Sequence, residues 1–183
     1  QAHSNPINKI NFIGLNNSLE STLLELIPFK VGQNFSPFIS DNIIESLFKT
    51  ELFENISIIK NGNSLDITLK ENPNIKYFEI KLNTGSGFSN WLKNEKMHFT
   101  SEDLNIQIVD NQLSAGSIFT KRKLEDFVLL LESKYSQSGY FNSEITQTIE
   151  IDSQNRVGIE LSVIQGKRAT IDSFGISGTK NIS

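Results

Sequence analysis

The stretch that decides the fold is "ISIIKNGNSLDITL", residues 56–69. It places Asn61 and Gly62 between two segments rich in Ile, Leu and Thr, which is the strongest short-range signal for a β-hairpin. Within the second segment, apolar and polar residues alternate from Leu65 to Leu69. This period of two residues predicts a strand that buries one face.

The hairpin pattern occurs a second time. Residues 145–151 carry three isoleucines, the turn "DSQNR" follows at 152–156, and apolar residues then alternate over 157–163. A further apolar spacing, with steps of three, two and two residues, occurs three times along the chain. Its members are Ile7, Ile10, Phe12 and Gly14; Ile75, Phe78, Ile80 and Leu82; and Ile171, Phe174, Ile176 and Gly178. The chain is therefore predicted to contain repeated modules that open on a strand and close on a hairpin.

Two helices are predicted between the opening strand and the hairpin. "VGQNFS" (31–36) returns as "AGSIFT" (115–120), and Ser36 and Thr120 suit the N-cap of the helix that follows each. Apolar residues then recur at helical spacing. They are Ile39, Ile43, Ile44, Leu47 and Phe48 in the first copy, and Leu124, Phe127, Val128, Leu131 and Tyr135 in the second. An earlier helix is predicted at 18–27; the pattern defines its counterpart near 89–96 poorly.

The segment 97–114 departs from the repeat. We expect it to hold extra residues that the first copy lacks, and "LNIQIV" (104–109) within it is a candidate short strand. Further along, residues 121–123 are all cationic and lie where a helix is predicted to begin. Cations there oppose the helix dipole, and we expect them to be solvated.

Composition excludes several classes of protein. The chain has 183 residues, of which 37% are hydrophobic and 13 are Phe, so it can build a core. The net charge is −4 and no basic stripe is visible, which argues against a nucleic-acid partner. The absence of Cys excludes disulfides and cysteine-ligated zinc. The longest apolar run is far shorter than the roughly 20 residues that a membrane helix needs.

No set of residues predicts catalysis, a metal site or a cofactor site. His98 with Glu102 and Asp103 has a spacing that could hold a metal ion on a helix, but these weak ligands make a poor metal site, and solvated polar residues are expected. "TGSGFS" (84–89) lacks the Lys-Ser/Thr ending of a phosphate-binding loop. No base, nucleophile and orienting group occur together, so we expect a protein that is not an enzyme.

Together these motifs resemble the polypeptide-transport-associated (POTRA) domains, and more narrowly the first and second POTRA modules of the BamA family of outer-membrane β-barrel assembly proteins. The residues that carry the resemblance are the strand around Ile10 and Phe12, "VGQNFSP" (31–37), "SLFKTELFENISI" (46–58), "NGNSLDITLKENPNI" (61–75) and "NRVGIELSVIQG" (155–166). Leu82 departs from the pattern, because the other two copies carry Gly there.

The resemblance implies an α+β fold of two tandem POTRA modules. Each module runs strand–helix–helix–strand–strand, with a three-stranded mixed sheet covered by two helices. The expected modules are 1–72 and 73–167, and 168–183 would supply the first strand of a truncated third module. The full-length protein would be embedded in the membrane through a C-terminal barrel absent from this chain.

The resemblance also implies a function. The chain would form a scaffold at the periplasmic face of the outer membrane, with unfolded outer-membrane proteins, a periplasmic chaperone and other subunits of the assembly machinery as partners. Clients would add a strand to an exposed sheet edge. The predicted edge residues are Asn55, Ile56, Ser57, Ile58, Ile59, Lys60, Glu144, Ile145, Thr146, Gln147, Thr148 and Ile149.

One alternative origin stays open from the sequence. The chain could come from another POTRA-bearing protein, such as a TamA-type assembly factor, a two-partner secretion transporter or a division-site protein. The edge itself could be tested by proline at Ser57 or Thr148, provided that the N–H there points away from the sheet.

Overall fold

A computed structural model describes residues 6–84 and 96–170 of the chain. Its elements are β1 (Lys9–Ile13), α1 (Glu20–Leu26), α2 (Pro37–Phe48), β2 (Phe53–Asn61), β3 (Ser64–Glu71), β4 (Asn74–Asn83), α3 (Ser101–Asp110), α4 (Lys121–Gln137), β5 (Glu144–Ile151) and β6 (Arg156–Ile164). The predicted order strand–helix–helix–strand–strand is confirmed in both copies. We call β1–β3 with α1 and α2 the first module, and β4–β6 with α3 and α4 the second module.

Each module contains one three-stranded mixed sheet. The strand orders are β1-β3-β2 and β4-β6-β5, so the last strand of each hairpin lies in the centre. The opening strand is parallel to the central strand, and the first hairpin strand is antiparallel to it. The central strands bury alternate side chains against the helices, as the period of two predicts. These side chains are Leu65, Ile67 and Leu69 in β3, and Val157, Ile159, Leu161 and Val163 in β6.

The turn that leads into the second helix of each module binds the opening segment. Ile7 N–H donates to Gln33 O at 3.0 Å, and Gly32 N–H donates to Ile7 O at 2.7 Å. In the second module, Ile75 makes the same two bonds, with Ser117 O at 2.8 Å and with Gly116 N–H at 2.7 Å. The repeated "VGQNFS" and "AGSIFT" motifs therefore form the same pair of backbone hydrogen bonds with the opening segment of their module.

The predicted caps and helical stripes are confirmed. Ser36 accepts a hydrogen bond from the N–H of Ile39, and Thr120 accepts one from the N–H of Lys123. Pro37 occupies the first position of α2, where its missing N–H costs nothing. The apolar stripes face the two hydrophobic cores, with the exception of Phe48, which is exposed.

Gly14 explains why the opening strands differ in length. It has a φ of +90°, and a Cβ there would lie 2.2 Å from Leu69 O, so only glycine fits where β1 ends. Leu82 holds the same place in the repeat, but it remains extended and pairs with Val163. The departure from glycine therefore lets β4 continue to Asn83.

Segment 97–114 is not an insertion, which corrects the expectation from the sequence. "LNIQIV" lies within α3 and is not a strand; Leu104 and Ile108 bury one helical face. Thr100 and Asp103 form a capping box that fixes the start of this helix. Since α3 is the counterpart of α1, most of the extra residues of the second module lie between β4 and α3, and α3 itself has 10 residues where α1 has 7.

Two further expectations fall outside the described residues. The segment near 89–96 lies almost wholly outside them, and so does the strand predicted around Phe174 and Ile176. The first hairpin turn differs by one position from the prediction: β2 extends through Asn61, and the loop residues are Gly62 and Asn63. Gly62 supplies the positive φ of 60° that this tight loop requires.

Among the described residues, the two modules are joined by a short linker, an ion pair and a hydrogen bond from the Asn155 side chain to Glu71 O at 3.3 Å. Only Asn72 and Pro73 separate β3 from β4. Lys123 Nζ, at the start of α4, lies 2.6 Å from Glu51 Oε2 of the first module. The other two cations of this turn pair with carboxylates one turn later, Lys121 with Glu125 and Arg122 with Asp126. These partners offset the unfavourable helix dipole, and Lys123 is not solvated as expected.

Candidate functional site: the outer strands β2 and β5

All of the predicted edge residues lie on the outer hairpin strands. Residues 55–60 belong to β2 and residues 144–149 belong to β5. Among the described residues, no strand pairs with the outer side of either one. Whether these edges bind a client stays a prediction, and the geometry below defines what they offer.

Hydrogen-bonding direction along β5 follows from its turn. Asp152 N–H donates to Arg156 O at 2.9 Å, so this pair is hydrogen-bonded. Bonded and non-bonded pairs alternate in an antiparallel ladder. With the observed register, Glu144, Thr146, Thr148 and Glu150 direct their backbone groups towards β6. The backbone groups of Ile145, Gln147, Ile149 and Ile151 therefore point outwards.

The same argument applies to β2. Asn61 and Ser64 close a two-residue loop and form a bonded pair, and Asn72 N–H donates to Leu52 O at 2.8 Å at the other end. With the bulge between Phe53 and Asn55, both ends give the same alternation. Three residues direct their backbone groups towards β3: Asn55, Ser57 and Ile59. The outward-pointing residues are Ile56, Ile58 and Lys60.

Half of the predicted edge residues can therefore pair with an added strand. Ser57 and Thr148 are not among them, because their N–H groups point into the sheet. Proline at either position would break the ladder itself, which changes the test suggested by the sequence. Lys60 on β2 and Gln147 on β5 are better sites for this proline test, because their N–H groups point outwards and their side chains are exposed.

The outward residues also carry the side chains that face the helices. In the second module, Ile145, Gln147 and Ile149 lie opposite Val163, Leu161 and Ile159, which are fully buried. Directly paired residues project to the same face of a sheet. A strand added to this edge would therefore form hydrogen bonds with the backbone of Ile145, Gln147 and Ile149. The side chains of these same three residues lie on the face of the sheet that the helices cover.

The second module has a groove along this edge. It has a volume of about 430 Å³ and lies between α4 and β5. Val128, Leu129, Ile145 and Gln147 line it together with Glu125 and Glu132. Leu129 is 62% exposed and Ile149, further along the strand, is 39% exposed, so apolar surface remains open to solvent.

The edge of the first module is more closed. Ile56 is the repeat counterpart of Ile145 and is only 8% exposed, since it belongs to the hydrophobic core. Ile58 also packs against that core, and the third outward position is Lys60. On its helix-facing side, this edge therefore offers backbone groups with little open apolar surface; Ile59, on the opposite face, is exposed.

Charge also distinguishes the two edges. β5 has two exposed glutamates, Glu144 and Glu150, and no Lys or Arg. Glu132, at the rim of the groove, has no ion pair within residues 6–84 and 96–170. On β2, by contrast, Glu54 lies 2.7 Å from Lys70 of the neighbouring strand. The second edge is thus acidic and the first is balanced.

One buried polar residue per module anchors the loop before the first helix, and sequence analysis missed both. The Glu71 carboxylate accepts hydrogen bonds from the N–H groups of Asn17 and Ser18, each at 2.8 Å. Gln165 accepts one from His98 N–H at 2.6 Å and donates to Lys96 O at 3.3 Å. An alignment of the two copies could have revealed them, because it places Glu71 of "LDITLKEN" (65–72) at the same position as Gln165 of "IELSVIQG" (159–166).

Glu71 and Gln165 differ in their response to acid. Burial raises the pKa of the Glu71 carboxyl, but the donors from Ser18 and Asn17 outweigh burial and hold that pKa below its ordinary value of 4.5. An amide such as Gln165 does not titrate. Only the first module therefore has an ionisable anchor at this position.

An aromatic cluster fills the second module beside the Gln165 anchor. Tyr135 contacts Phe99 and Tyr140 at ring-centroid distances of 5.0 and 6.2 Å, and His98 packs edge-on against Phe99 and at a tilt against Tyr140. The Tyr135 hydroxyl is buried and has no hydrogen-bond partner among the described residues, and burial raises the pKa of Tyr135 to about 12. His98 and Asp103 have structural contacts, and no group of three or more possible metal ligands occurs in the described part of the chain.

Comparisons with known proteins find POTRA-like sequences and folds. Residues 93–166 match the POTRA family model, described as a surface antigen variable number repeat. Curated relatives include the outer membrane protein assembly factor BamA of Neisseria meningitidis serogroup B (strain ATCC BAA-335 / MC58), 26% identical over 95% of this chain and 20% of its own length. BamA of Buchnera aphidicola subsp. Acyrthosiphon pisum (strain APS) is 24% identical over 97% of this chain and 27% of its own length. The chain thus spans between 20% and 27% of the length of these relatives.

Among solved structures, the N-terminal domain of Omp85 from the cyanobacterium Thermosynechococcus elongatus has a TM-score of 0.52 at 14% identity. The match covers 85% of this chain and 61% of that chain, and it shows the fold. Across residues 6–84 and 96–170, none of the helices combines the length and apolar character needed to cross a bilayer. The resemblance predicted from the sequence is confirmed.

Proposed function

We propose that this chain, which resembles the tandem POTRA domains of BamA, is a non-catalytic scaffold that receives unfolded outer-membrane protein segments in the periplasm. The observation that carries this proposal is the row of outward backbone groups on β2 and β5. An extended client pairs with them and becomes a fourth strand of either sheet.

Backbone pairing suits clients of diverse sequence. It uses N–H and C=O groups that every non-proline residue carries, so affinity does not require a fixed motif. Segments destined for a β-barrel share an alternation of side chains, which matches the period of an outer strand. An open edge is a general hazard in sheets, and its use for clients gives it a role.

The proposal also includes the context of the chain. The modules would be 1–72 and 73–167, with 168–183 opening a third, of which only 168–170 lies among the described residues. The full-length protein would carry further modules and a membrane barrel, and would contact a periplasmic chaperone and the other assembly subunits. The sequence that follows residue 183 in the gene distinguishes this from a TamA-type factor, a two-partner secretion transporter or a division-site protein.

A peptide titration tests the proposal. A labelled barrel-strand peptide added to the ¹⁵N-labelled chain should shift the amides of Ile56, Ile58 and Lys60, or those of Ile145, Gln147 and Ile149. The control is the same peptide N-methylated at alternate amides, which removes the donors that face the edge. Shifts confined to α1–α4, or equal shifts with the methylated peptide, would contradict strand addition.

A further inference from the structure

We propose that the edge of the second module takes extended segments that are apolar on one face and carry Lys or Arg on the other. This inference rests on the proposed function, because it requires that β5 accepts a strand. It goes beyond that function in assigning a chemical class of client to one of the two edges.

The apolar half of this requirement comes from the groove. An added strand would direct alternate side chains to the helix side, beside Ile145 and Gln147 and below α4. Val128 and Leu129 provide the apolar wall there. Leu129 is exposed to solvent in the free chain. Apolar client side chains would remove this surface from water.

The cationic half comes from the opposite face of β5. Glu144, Thr146, Thr148 and Glu150 project there, since they lie between the groove-facing positions. Both glutamates are exposed, and neither has an ion pair among the described residues. Cations at the facing client positions would complement them.

The ladder geometry strengthens this pairing. Glu144 and Glu150 direct their own N–H groups to β6, so an antiparallel client would meet them in non-hydrogen-bonded pairs. Side chains approach most closely in such pairs, where opposite charges stabilise the ladder. Because the glutamates are six residues apart, the matching client cations are also six residues apart. Glu132, which has no ion pair among the described residues, adds negative charge at the rim of the groove, whereas the neighbouring Glu125 is paired with Lys121.

The test uses three peptides with valine at alternate positions. The neutral peptide has threonine at the intervening positions; the second carries two lysines six residues apart; the third carries the same two lysines only two residues apart. The 183-residue chain is titrated with each, and binding is followed at the amides of Ile145, Gln147 and Ile149. We expect the six-spaced peptide to bind roughly five- to tenfold more tightly than the neutral one, and the advantage to vanish in high salt.

Variants separate charge from strand addition. Glu144→Gln with Glu150→Gln should abolish the advantage of the six-spaced peptide while the neutral peptide binds unchanged. Glu102→Gln, which removes one exposed carboxylate from α3, is a control for charge loss away from β5 and should retain the advantage.

Each contrary result has a distinct meaning. Equal binding of the three peptides at β5 overturns the charge preference but leaves strand addition standing. Equal binding of the two lysine peptides overturns the assigned spacing and shows general electrostatic attraction. Binding at β2 alone overturns the assignment to β5, and no shift at either edge overturns the proposed function as well.

Discussion

β2 and β5 occupy the same place in their sheets but present different surfaces. The outward positions are Ile56, Ile58 and Lys60 on β2, and their repeat counterparts are Ile145, Gln147 and Ile149 on β5. The central strands behind them bury equivalent apolar side chains. The repeat thus keeps the core and the hydrogen-bond pattern while the edges diverge, which allows two modules of one fold to meet different partners.

The opening strands give the largest expected contrast between the modules. Gly14→Ala should destabilise the first module by roughly 3 kcal/mol or more, because the new Cβ meets Leu69 O and the φ is positive. Leu82→Gly, at the matching position, should cost only about 1–2 kcal/mol, since it removes a half-buried side chain from an extended strand. Denaturant unfolding of both variants measures this difference, and similar losses would contradict it.

Proline substitutions on the outer strands should give the next largest difference in stability. They test the assigned direction of the backbone N–H groups at the edge. Thr148→Pro should lower the free energy of unfolding by about 2–3 kcal/mol, since it removes a bond to β6. Gln147→Pro should leave stability within about 1 kcal/mol while weakening peptide binding. Ser57→Pro and Lys60→Pro form the corresponding pair on β2. Equal stability losses within a pair would show that the alternation is assigned wrongly.

The buried anchors should differ in acid. The pKa of Glu71 is lower in the folded state than its ordinary value of 4.5. Its contribution to the free energy of unfolding is therefore fully present above pH 4.5 and is lost as the pH falls through the folded pKa. Glu71→Gln should therefore cost about 1–2 kcal/mol at pH 7, and the difference from the parent chain should narrow near pH 3. Unfolding curves at the two pH values check this, and a gap independent of pH would contradict it. Gln165→Glu should destabilise at pH 7, because its second oxygen would face Lys96 O.

The contact between the modules should have the smallest effect. Lys123 is 19% exposed at its side chain and pairs with Glu51, whereas Lys121 is 83% exposed. Lys123→Met should cost about 0.5–1 kcal/mol, and Lys121→Met should cost less. A double-mutant cycle of Lys123 with Glu51 isolates the coupling between the modules. A coupling energy indistinguishable from zero would show that the pair does not link them.

The sequence predicted the elements that depend on local patterns. The Asn61-Gly62 region, the caps Ser36 and Thr120 and the alternation over residues 65–69 each specify structure through near neighbours, so they could be predicted. α3 was missed because "LNIQIV" fits a strand as well as a helix, and Thr100 and Asp103, which decide the matter, lay outside the pattern considered. Glu71 and Gln165 could not be assigned from local pattern, since their partners lie more than 50 residues away.

The edge residues were located by strand order but not by direction. Period-two alternation shows which side chains share a face, yet the outward backbone groups depend on how the hairpin closes. Asp152 with Arg156, and Asn61 with Ser64, supply that information only once the turn geometry is known.

The outward groups of β5 recur every second residue, at Ile145, Gln147, Ile149 and Ile151. A bound segment could therefore shift by two residues, about 6.7 Å, and recover the same backbone bonds. Three equivalent registers would add about 0.6 kcal/mol of statistical stabilisation without any new contact. A client on this edge would then behave as a sliding strand, able to advance without release, and Glu144 and Glu150 would act as the stops that favour one position.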